Sequence, residues 1–282
     1  MSESACSKLR LLKAAPAHAD IAAARTDIAA APTPRTPPPH THTQHTTHSN
    51  QDGVAAGIAA AGTPRNSVFI TTKIPGCEVP AICKVRSEEF IANDLKLLGM
   101  AQVDLMLAHY TPLGGCASDD DCKMVQTQYA ALEDAYKAGK ARAIGVSNFC
   151  VSCLECLAKT QTVPPAVNQV QYHVGMGSDP QGLLAYCREK GIQLEAYSPL
   201  GSGNIVSNPL FSSIGEAYNK TGPQVALKWI VQRQIPIAVK AHSPEYLTQD
   251  IDLFTWNLTD ADLARLDQDK SIPYKPELFC SK

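Results

Sequence analysis

Three short apolar runs lie between residues 139 and 204 of the chain, and each ends in polar residues. They read KARAIGVSNF (140–149), PAVNQVQYH (165–173) and IQLEAYSPLGSGN (192–204). Each has the length of a strand and the Val, Ile and aromatic residues that strands favour. The segments between them, 150–160 and 181–190, have helical spacing. Because strands that alternate with helices pair in parallel through crossover connections, this order predicts an α/β fold.

Three more runs of the same kind complete a set of predicted strands near 68–73, 104–109, 142–147, 166–172, 193–198 and 236–241. Further helices are predicted at 53–62, 87–98, 124–138, 208–220, 223–232, 245–254 and 259–267. The helix at 87–98 would begin at a capping-box-like Ser87, and 114–124 would form a loop. A complete barrel of this kind has eight strands, with its active site at their carboxyl ends. We therefore expect a (β/α)8 TIM-type barrel that is incomplete and lacks one or two N-terminal strands.

Composition limits the kinds of partner. A chain of 282 residues with 44% hydrophobic content can bury the core of one barrel-sized domain. Its net charge of -2 gives no electrostatic reason to expect nucleic acid or an anionic membrane surface. No apolar run approaches the ~20 residues of a membrane span, and no N-terminal apolar core precedes a cleavage site. We expect a cytoplasmic protein that binds no nucleic acid and no membrane, with its ten cysteines reduced.

Residues 1–49 differ in composition from the rest of the chain. We expect them to form a low-complexity, disordered segment, and residues 50–282 to form the barrel domain. The tract at 32–50 is almost entirely Pro, Thr, His, Gln and Ser, so it cannot bury enough apolar area to offset its ordering entropy. The four histidines of the tract, together with one upstream, suggest metal binding as one hypothesis: His18, His40, His42, His45 and His48. Because the tract holds no Cys or carboxylate, we favour a segment without a bound ion.

The run CVSCLEC, with Cys150, Cys153 and Cys156, is a second candidate metal site. Spacing of this kind can hold an iron–sulfur cluster or zinc. In a helix, however, the three sulfurs would point in successively different directions, and no fourth ligand follows at motif spacing. We therefore favour small, partly buried helix residues and expect no metal.

From about residue 50 to its end, the chain resembles the aldo-keto reductases. The resemblance rests on six segments in order: FITTKI, DLMLAH, GKARAIGVSNF, VNQVQYH, LEAYSPLG and IAVKA. Each is a weak signal alone, but their order and separations are specific together. The resemblance implies a (β/α)8 barrel and an oxidoreductase that reduces an aldehyde or ketone to an alcohol by hydride transfer from NAD(P)H. We also expect a monomer.

The resemblance implies catalytic roles for Lys73 and His109. Hydride transfer to a carbonyl carbon requires an acid that protonates the developing alkoxide. In the family a tyrosine is that acid, a lysine lowers its pKa, a histidine hydrogen-bonds the carbonyl oxygen and an aspartate pairs with the lysine. Lys73 falls on the lysine position and His109 on the histidine position. Without the flanking motifs, the simpler interpretation would be that Lys73 is a solvated surface charge and that His109 is a core histidine whose hydrogen bonds are satisfied.

A cofactor site is implied in the same way. Tyr197 would stack on the nicotinamide, although a core aromatic ring is the alternative, and Ser147, Asn148 and Gln169 would hold the carboxamide. The loop that approaches the pyrophosphate comprises Ser198, Leu200, Gly201 and Ser202, where glycine permits close contact. The adenine side comprises Lys240, Ala241, Tyr246, Gln249 and Asp250.

The adenine side bears on the choice between NADPH and NADH. Lys240 falls where the family contacts the 2′-phosphate of NADPH. Tyr246 replaces a common arginine, and Asp250 replaces an asparagine with a carboxylate that would oppose a nearby phosphate. We expect NADPH, with NADH as the alternative.

The main departure from the family concerns the acid. Alignment of SNQDGVAAGI (49–58) with the family's helix places His48 at the tyrosine position and Thr43 at the aspartate position, and no tyrosine precedes Tyr110. Three explanations stay open: an incorrect 5′ end of the gene model, a divergent barrel that binds nucleotide without turnover, or proton donation by His48, whose unperturbed pKa is ~6.5. The alternative function is therefore a catalytically inactive nucleotide-binding barrel. The carbonyl substrate stays unspecified, and loop 114–122 and tail 273–282 are expected to shape its pocket.

Overall fold

The structure is a computed structural model that describes residues 50–112, 115–241 and 243–272. The strands are β1 (Thr71–Ile74), β2 (Val103–Ala108), β3 (Ala141–Ser147), β4 (Val167–Gln171), β5 (Gln193–Tyr197) and β6 (Ile237–Ala238). The helices are α1 (Gln51–Ala60), α2 (Cys83–Leu98), α3 (Asp119–Lys137), α4 (Val151–Ala158), α5 (Leu183–Glu189), α6 (Pro209–Glu216), α7 (Gly222–Val231), α8 (Pro244–Ile251) and α9 (Asp260–Asp267). The domain boundary after residue 49 stays a prediction, because residues 1–49 lie outside the described part of the chain.

All six strands pair in parallel, in the order in which they occur along the chain. The predicted strands are confirmed, although β6 has only two residues. Within the described residues, β1 and β6 each pair on one side only, so the sheet curls without closing. The expectation of an incomplete (β/α)8 barrel is confirmed. No helix in this part of the chain is long and apolar enough to cross a membrane.

Side chains alternate between the two faces of the sheet. The outer face carries residues such as Ile74 and Met106, which pack with the helices in the main core. The inner face carries a small separate apolar cluster, formed around Leu105, Leu107 and Val167. Toward the carboxyl ends of the strands, the register replaces these apolar side chains on the inner face with polar ones.

Asp104 joins three strands at the opposite, N-terminal edge of the sheet. Its buried carboxylate accepts from the backbone amide of Ile70 (2.8 Å) and pairs with Arg65 (2.7 Å) and Arg142 (2.9 Å). Burial alone would raise the pKa of Asp104, but the Ile70 amide and the two guanidinium groups together lower it. Because the folded state favours the charged form, these contacts stabilise the junction of β1, β2 and β3 at neutral pH.

Two helices begin earlier than predicted. A 3-10 turn at Pro80–Ile82 leads directly into α2, which begins at Cys83, so Ser87 is a buried residue within the helix and not its cap. The helix α3 begins at Asp119, within the segment predicted as a loop. Ser118 and Asp121 form a reciprocal capping box there. Three acidic residues in the first turn also stabilise the helix, because negative charge interacts favourably with the N-terminal end of the helix dipole.

The expectation of reduced cysteines is wrong for three pairs. Disulfides join Cys77 to Cys83, Cys116 to Cys153 and Cys122 to Cys156. Cys150 is disulfide-bonded as well. The buried Cys187 is a free thiol, and burial raises its pKa to about 11. Scattered spacing could not reveal these pairs, because it does not specify which cysteines meet in space.

The Asp104 junction gives a stability prediction. We expect Asp104→Asn to lower the free energy of unfolding at pH 7 by roughly 2 kcal/mol, because the lost buried charge is only partly screened by water. A lowered folded pKa stabilises the fold above the unfolded pKa of ~4, and this contribution is lost as the pH falls through the folded pKa. The difference between variant and parent should therefore shrink in urea unfolding at pH ~3.

A matched control is Asp134→Asn, which removes a surface ion pair with Lys84 and should change stability little. An equal loss of stability for Asp104→Asn at both pH values would contradict the ion-pair account.

Candidate active site

The carboxyl edge of the sheet brings Lys73 and His109 onto neighbouring strands. Lys73 precedes the last residue of β1, and His109 directly follows β2. The His109 amide donates to the Ile74 carbonyl (2.9 Å), which continues the parallel ladder past the end of β2. Lys73 lies opposite Leu107, a member of the inner cluster, so positions 73 and 109 share the inner face. The two predicted catalytic residues therefore lie at one edge, and their roles stay predictions.

Asn148 is the centre of a hydrogen-bond network at this edge. Its side-chain amide donates to the His109 carbonyl (2.9 Å) and the Ser147 hydroxyl (3.2 Å), and its Oδ1 accepts from the Tyr197 hydroxyl (2.9 Å). Its φ of 64° lies in the left-handed region, which asparagine tolerates better than most residues. The network holds the ends of β2, β3 and β5 in one group.

Tyr197 keeps its proton within this network. Burial, and to a smaller extent the nearby Tyr110, raises the pKa of the Tyr197 phenol. The hydroxyl therefore stays protonated at neutral pH and donates to Asn148. The ring of Tyr197 is only half-buried, so part of it faces the edge where a ligand would lie.

Gln169 lies beside this network, and its side chain is fully buried. The backbone carbonyl of Gln169 accepts from the Ser147 hydroxyl (2.7 Å) and from the backbone amide of Asn148 (3.0 Å). The residue is fully buried, yet neither Nε2 nor Oε1 has a hydrogen-bond partner among the described residues. Because a buried polar group without a partner costs roughly 1–3 kcal/mol, this amide fits a ligand that offers both a donor and an acceptor. A carboxamide has this pair of groups.

The loop after β5 turns sharply at the same edge. Ser198 (φ 49°) and Ser202 (φ 54°) both lie in the left-handed region. A Cβ added to Gly201 would lie 2.9 Å from Cγ2 of Ile272, so glycine is required for this close packing. Leu200 is half-buried and packs against the main core. The four predicted loop residues are thus adjacent to Tyr197, and their contact with a pyrophosphate stays a prediction.

Lys240 and α8 lie beyond β6. Lys240 is exposed, and Ala241 beside it is half-buried. Ser243, which sequence analysis missed, caps α8 by accepting from the amide of Tyr246 (3.3 Å). Helix N-termini attract anions, so Lys240 and the start of α8 both favour a negatively charged group, although Glu245 in the first turn of α8 opposes it. The Tyr246 side chain is 53% exposed and therefore accessible for stacking.

Gln249 and Asp250 lie in the last turn of α8. Gln249 is engaged in local contacts: its Oε1 accepts from Thr221 (3.3 Å), and its Nε2 donates to Glu245 (3.4 Å). Burial raises the pKa of Asp250, so this carboxyl is less readily charged than an exposed aspartate.

Two further residues at this edge, Tyr110 and Glu195, were not predicted from the sequence. Tyr110 stacks on the His109 ring, with ring centroids 4.0 Å apart, and 39% of the residue is exposed. Glu195 lies opposite Gln169 in the register and is buried, so it places a carboxyl group in the inner polar layer. The available signals were the position of Tyr110 directly after His109 and a carboxylate two residues before Tyr197 on the same face of β5.

Several predictions of site residues fall outside the described chain, namely His48, Thr43, the histidine-rich tract and the tail at 273–282. The metal reading of CVSCLEC is contradicted by the pairing of Cys153 and Cys156 with Cys116 and Cys122. Across residues 50–112, 115–241 and 243–272, no group of three or more His, Cys, Asp or Glu side chains could hold a metal ion.

A curled parallel sheet with helices, and with polar side chains gathered at the carboxyl ends of its strands, defines a barrel-type enzyme. The sequence model described as "Aldo/keto reductase family" matches residues 46–270. Glyoxal reductase of Bacillus subtilis (strain 168) is 34% identical over 224 residues, which cover 78% of this chain and 75% of that protein. Morphine 6-dehydrogenase of Pseudomonas putida is 32% identical over 234 residues, with 78% and 75% covered.

Solved structures agree with these sequence matches. The crystal structure of MGS-M4, an aldo-keto reductase from a Medee basin deep-sea metagenome library, aligns with a TM-score of 0.70 at 32% identity and covers 80% of each chain. The chain therefore belongs to the aldo/keto reductase family, whose members are NAD(P)H-dependent oxidoreductases that reduce carbonyl groups.

Proposed function

We propose that this chain binds NADPH and reduces an aldehyde or ketone to an alcohol by hydride transfer. The observation that carries the proposal is the buried Gln169 amide, whose two polar atoms have no partner among the described residues. It lies beside the Ser147, Asn148 and Tyr197 network at the edge where barrel enzymes bind their ligands. Bound NADPH supplies the hydride that the carbonyl carbon accepts.

The chain's own residues fix the nicotinamide side. Gln169 donates to and accepts from the carboxamide, which relieves the cost of its buried amide. Tyr197 presents its ring for stacking, and the hydrogen bond to Asn148 keeps that ring in place. Because the hydrogen bond between Tyr197 and Asn148 exists before any ligand binds, little ordering cost is added for this ring on association.

On the substrate side, His109 donates a hydrogen bond to the carbonyl oxygen, and Lys73 supplies positive charge near the developing alkoxide. The ring of Tyr110 lies beside this histidine, with the two ring centroids 4.0 Å apart. A phenol that donates to the alkoxide would take the place of the acid tyrosine, for which the described chain has no residue before Tyr110.

The preference for NADPH over NADH rests on Lys240 and the start of α8. A 2′-phosphate would gain from the ammonium group and from the N-terminal end of the helix that Ser243 caps.

The second candidate function is a catalytically inactive nucleotide-binding barrel. It is favoured by the contrast between two observations: the Ser147, Asn148 and Tyr197 network is intact, whereas β1, which carries Lys73, pairs on one side only within the described residues. In such a protein the nicotinamide contacts would persist, while the acid that protonates the alkoxide would be missing.

One assay separates the two functions. We expect NADPH to quench the fluorescence of the two tryptophans, and an added aldehyde to be reduced with loss of the absorbance of the reduced nicotinamide. Quenching without turnover across a panel of aldehydes and ketones would support the inactive barrel. The absence of quenching would contradict both functions.

The Gln169 amide gives opposite predictions for the stability of the free protein and for NADPH affinity. Gln169→Leu removes a buried group that lacks partners, so we expect the free protein to be equally stable or more stable by about 1 kcal/mol. The same change should weaken NADPH binding about tenfold, because the carboxamide loses its partner. Urea unfolding of the free protein and fluorescence titration with NADPH measure the two effects.

The matched control is Gln232→Leu. Both ends of the Gln232 amide are hydrogen-bonded to the backbone of Leu258, so its loss should destabilise the fold by about 1 kcal/mol and leave NADPH affinity unchanged. If Gln169→Leu destabilised the free protein as much as the control and left affinity unchanged, Gln169 would not be a ligand-binding residue.

His48 can be tested directly. A general acid must lie within hydrogen-bond reach of the carbonyl, and a tract of Pro, Thr and His offers little to position it. We therefore expect His48→Ala to leave carbonyl-dependent NADPH oxidation unchanged. A decrease of about tenfold or more would identify His48 as the proton donor, since general acids contribute that much or more.

A further inference from the structure

Two disulfides join the same two segments of the chain. Cys116 lies in the loop after β2, and Cys122 lies in the first turn of α3. Their partners, Cys153 and Cys156, lie one turn apart on α4. The Cα atoms are 5.1 Å apart in the first pair and 5.5 Å apart in the second. Two parallel links at adjacent turns fix both the position and the rotation of α4 against the start of α3.

The linked segments leave the candidate active site on neighbouring strands. Cys116 follows His109 by seven residues, and Cys153 follows Asn148 by five. His109 and Asn148 are themselves joined by the hydrogen bond from the Asn148 amide to the His109 carbonyl (2.9 Å). The two disulfides therefore tether the chain just beyond the contact that holds the edge of the site together.

The four sulfurs differ in accessibility. Cys153 and Cys156 are buried, whereas Cys116 and Cys122 are half-buried. A thiolate from solution can therefore approach the pairs from the side of Cys116 and Cys122. Because accessible disulfides are the ones that undergo thiol–disulfide exchange most readily, the half-buried Cys116 and Cys122 suit these pairs to a reversible role.

We propose that Cys116–Cys153 and Cys122–Cys156 form a redox site that a dithiol reductant opens and an oxidant of the disulfide class closes. A thiolate of the reductant attacks one sulfur of a pair, forms a mixed disulfide and releases the other cysteine as a thiolate, which takes up a proton. The second thiol of the reductant then displaces the cysteine, so the protein gains two thiols and the reductant leaves as a disulfide.

Opening the pairs removes the covalent link between α3 and α4. The hydrogen bond from Gln126 to the Cys156 carbonyl (2.8 Å) then has to hold this contact with the surrounding packing. Reduction therefore increases local opening of the first turn of α3 and loosens the His109–Asn148 edge. The opening itself is independent of the proposed function, whereas its effect on NADPH affinity rests on that function.

The test uses the full chain, purified without reductant. Peptide mapping under non-reducing conditions should recover the two linked peptide pairs, and dithiothreitol should release them. Trypsin reports the opening at Lys123, which is exposed and follows Cys122. We expect reduction to accelerate cleavage at Lys123 about fivefold or more, because helix opening then becomes easier.

Paired variants assign the effect. Cys122→Ser with Cys156→Ser should be cleaved faster without reductant and should respond less to it. Cys77→Ser with Cys83→Ser loses a disulfide elsewhere and should keep the full response of the parent. NADPH titration of the oxidised and reduced parent protein should show weaker binding after reduction.

Two results would overturn the proposal. One is the recovery of all four cysteines as free thiols in the protein purified without reductant. The other is a cleavage rate at Lys123 that agrees within about twofold before and after reduction, since no local opening would then be coupled to the disulfides. A protein that opens on reduction but never binds NADPH would retain the redox site and contradict only the proposed function.

Discussion

The register between β3 and β4 determines the geometry of the candidate site. Ser147 lies opposite Gln169, and the backbone carbonyl of Gln169 accepts from both the Ser147 hydroxyl and the backbone amide of Asn148. These bonds fix the end of β3, where Asn148 adopts a left-handed backbone conformation. The Asn148 side chain in turn forms hydrogen bonds with the His109 carbonyl and the Tyr197 hydroxyl. Because a register shift of one residue would move every side chain to the other face, the inner polar layer depends on this pairing.

The positions of the strands were predictable from the sequence, whereas the starts of α2 and α3 were not. Apolar runs mark strands that are covered on both faces, and that signal does not depend on neighbouring turns. A helix start does depend on them. Ser87 has the residues of a cap around it, yet the turn at Pro80–Ile82 has already begun the helical conformation, so α2 starts earlier. At α3 the acidic run was interpreted as a loop, although Ser118 and Asp121 satisfy the free amides of a helix start.

Residues of the site were predictable from the sequence only where they follow from the position of a single strand end. The ends of parallel strands meet at one edge, so Lys73, His109 and Gln169 could be placed together from sequence. The central position of Asn148 depends on distances between three strands, which no local pattern reports. The pairing of the cysteines has the same limit, because four cysteines can pair in three ways and spacing along α4 does not reveal its neighbour.

The two sides of the candidate site are fixed to different degrees. The side proposed to hold the nicotinamide is connected by hydrogen bonds across β2, β3, β4 and β5, so a ligand there would meet contacts that are already in place. Lys73 lies on β1, which pairs on one side only within the described residues.

Proton transfer is more demanding than binding, because an acid displaced by about 1 Å can cost on the order of a hundredfold in rate. An edge strand is less constrained than an interior strand, since one row of its backbone groups has no ladder partner. Within the described residues β1 has such an edge, so the position of Lys73 is less constrained than the contacts around Gln169 and Asn148.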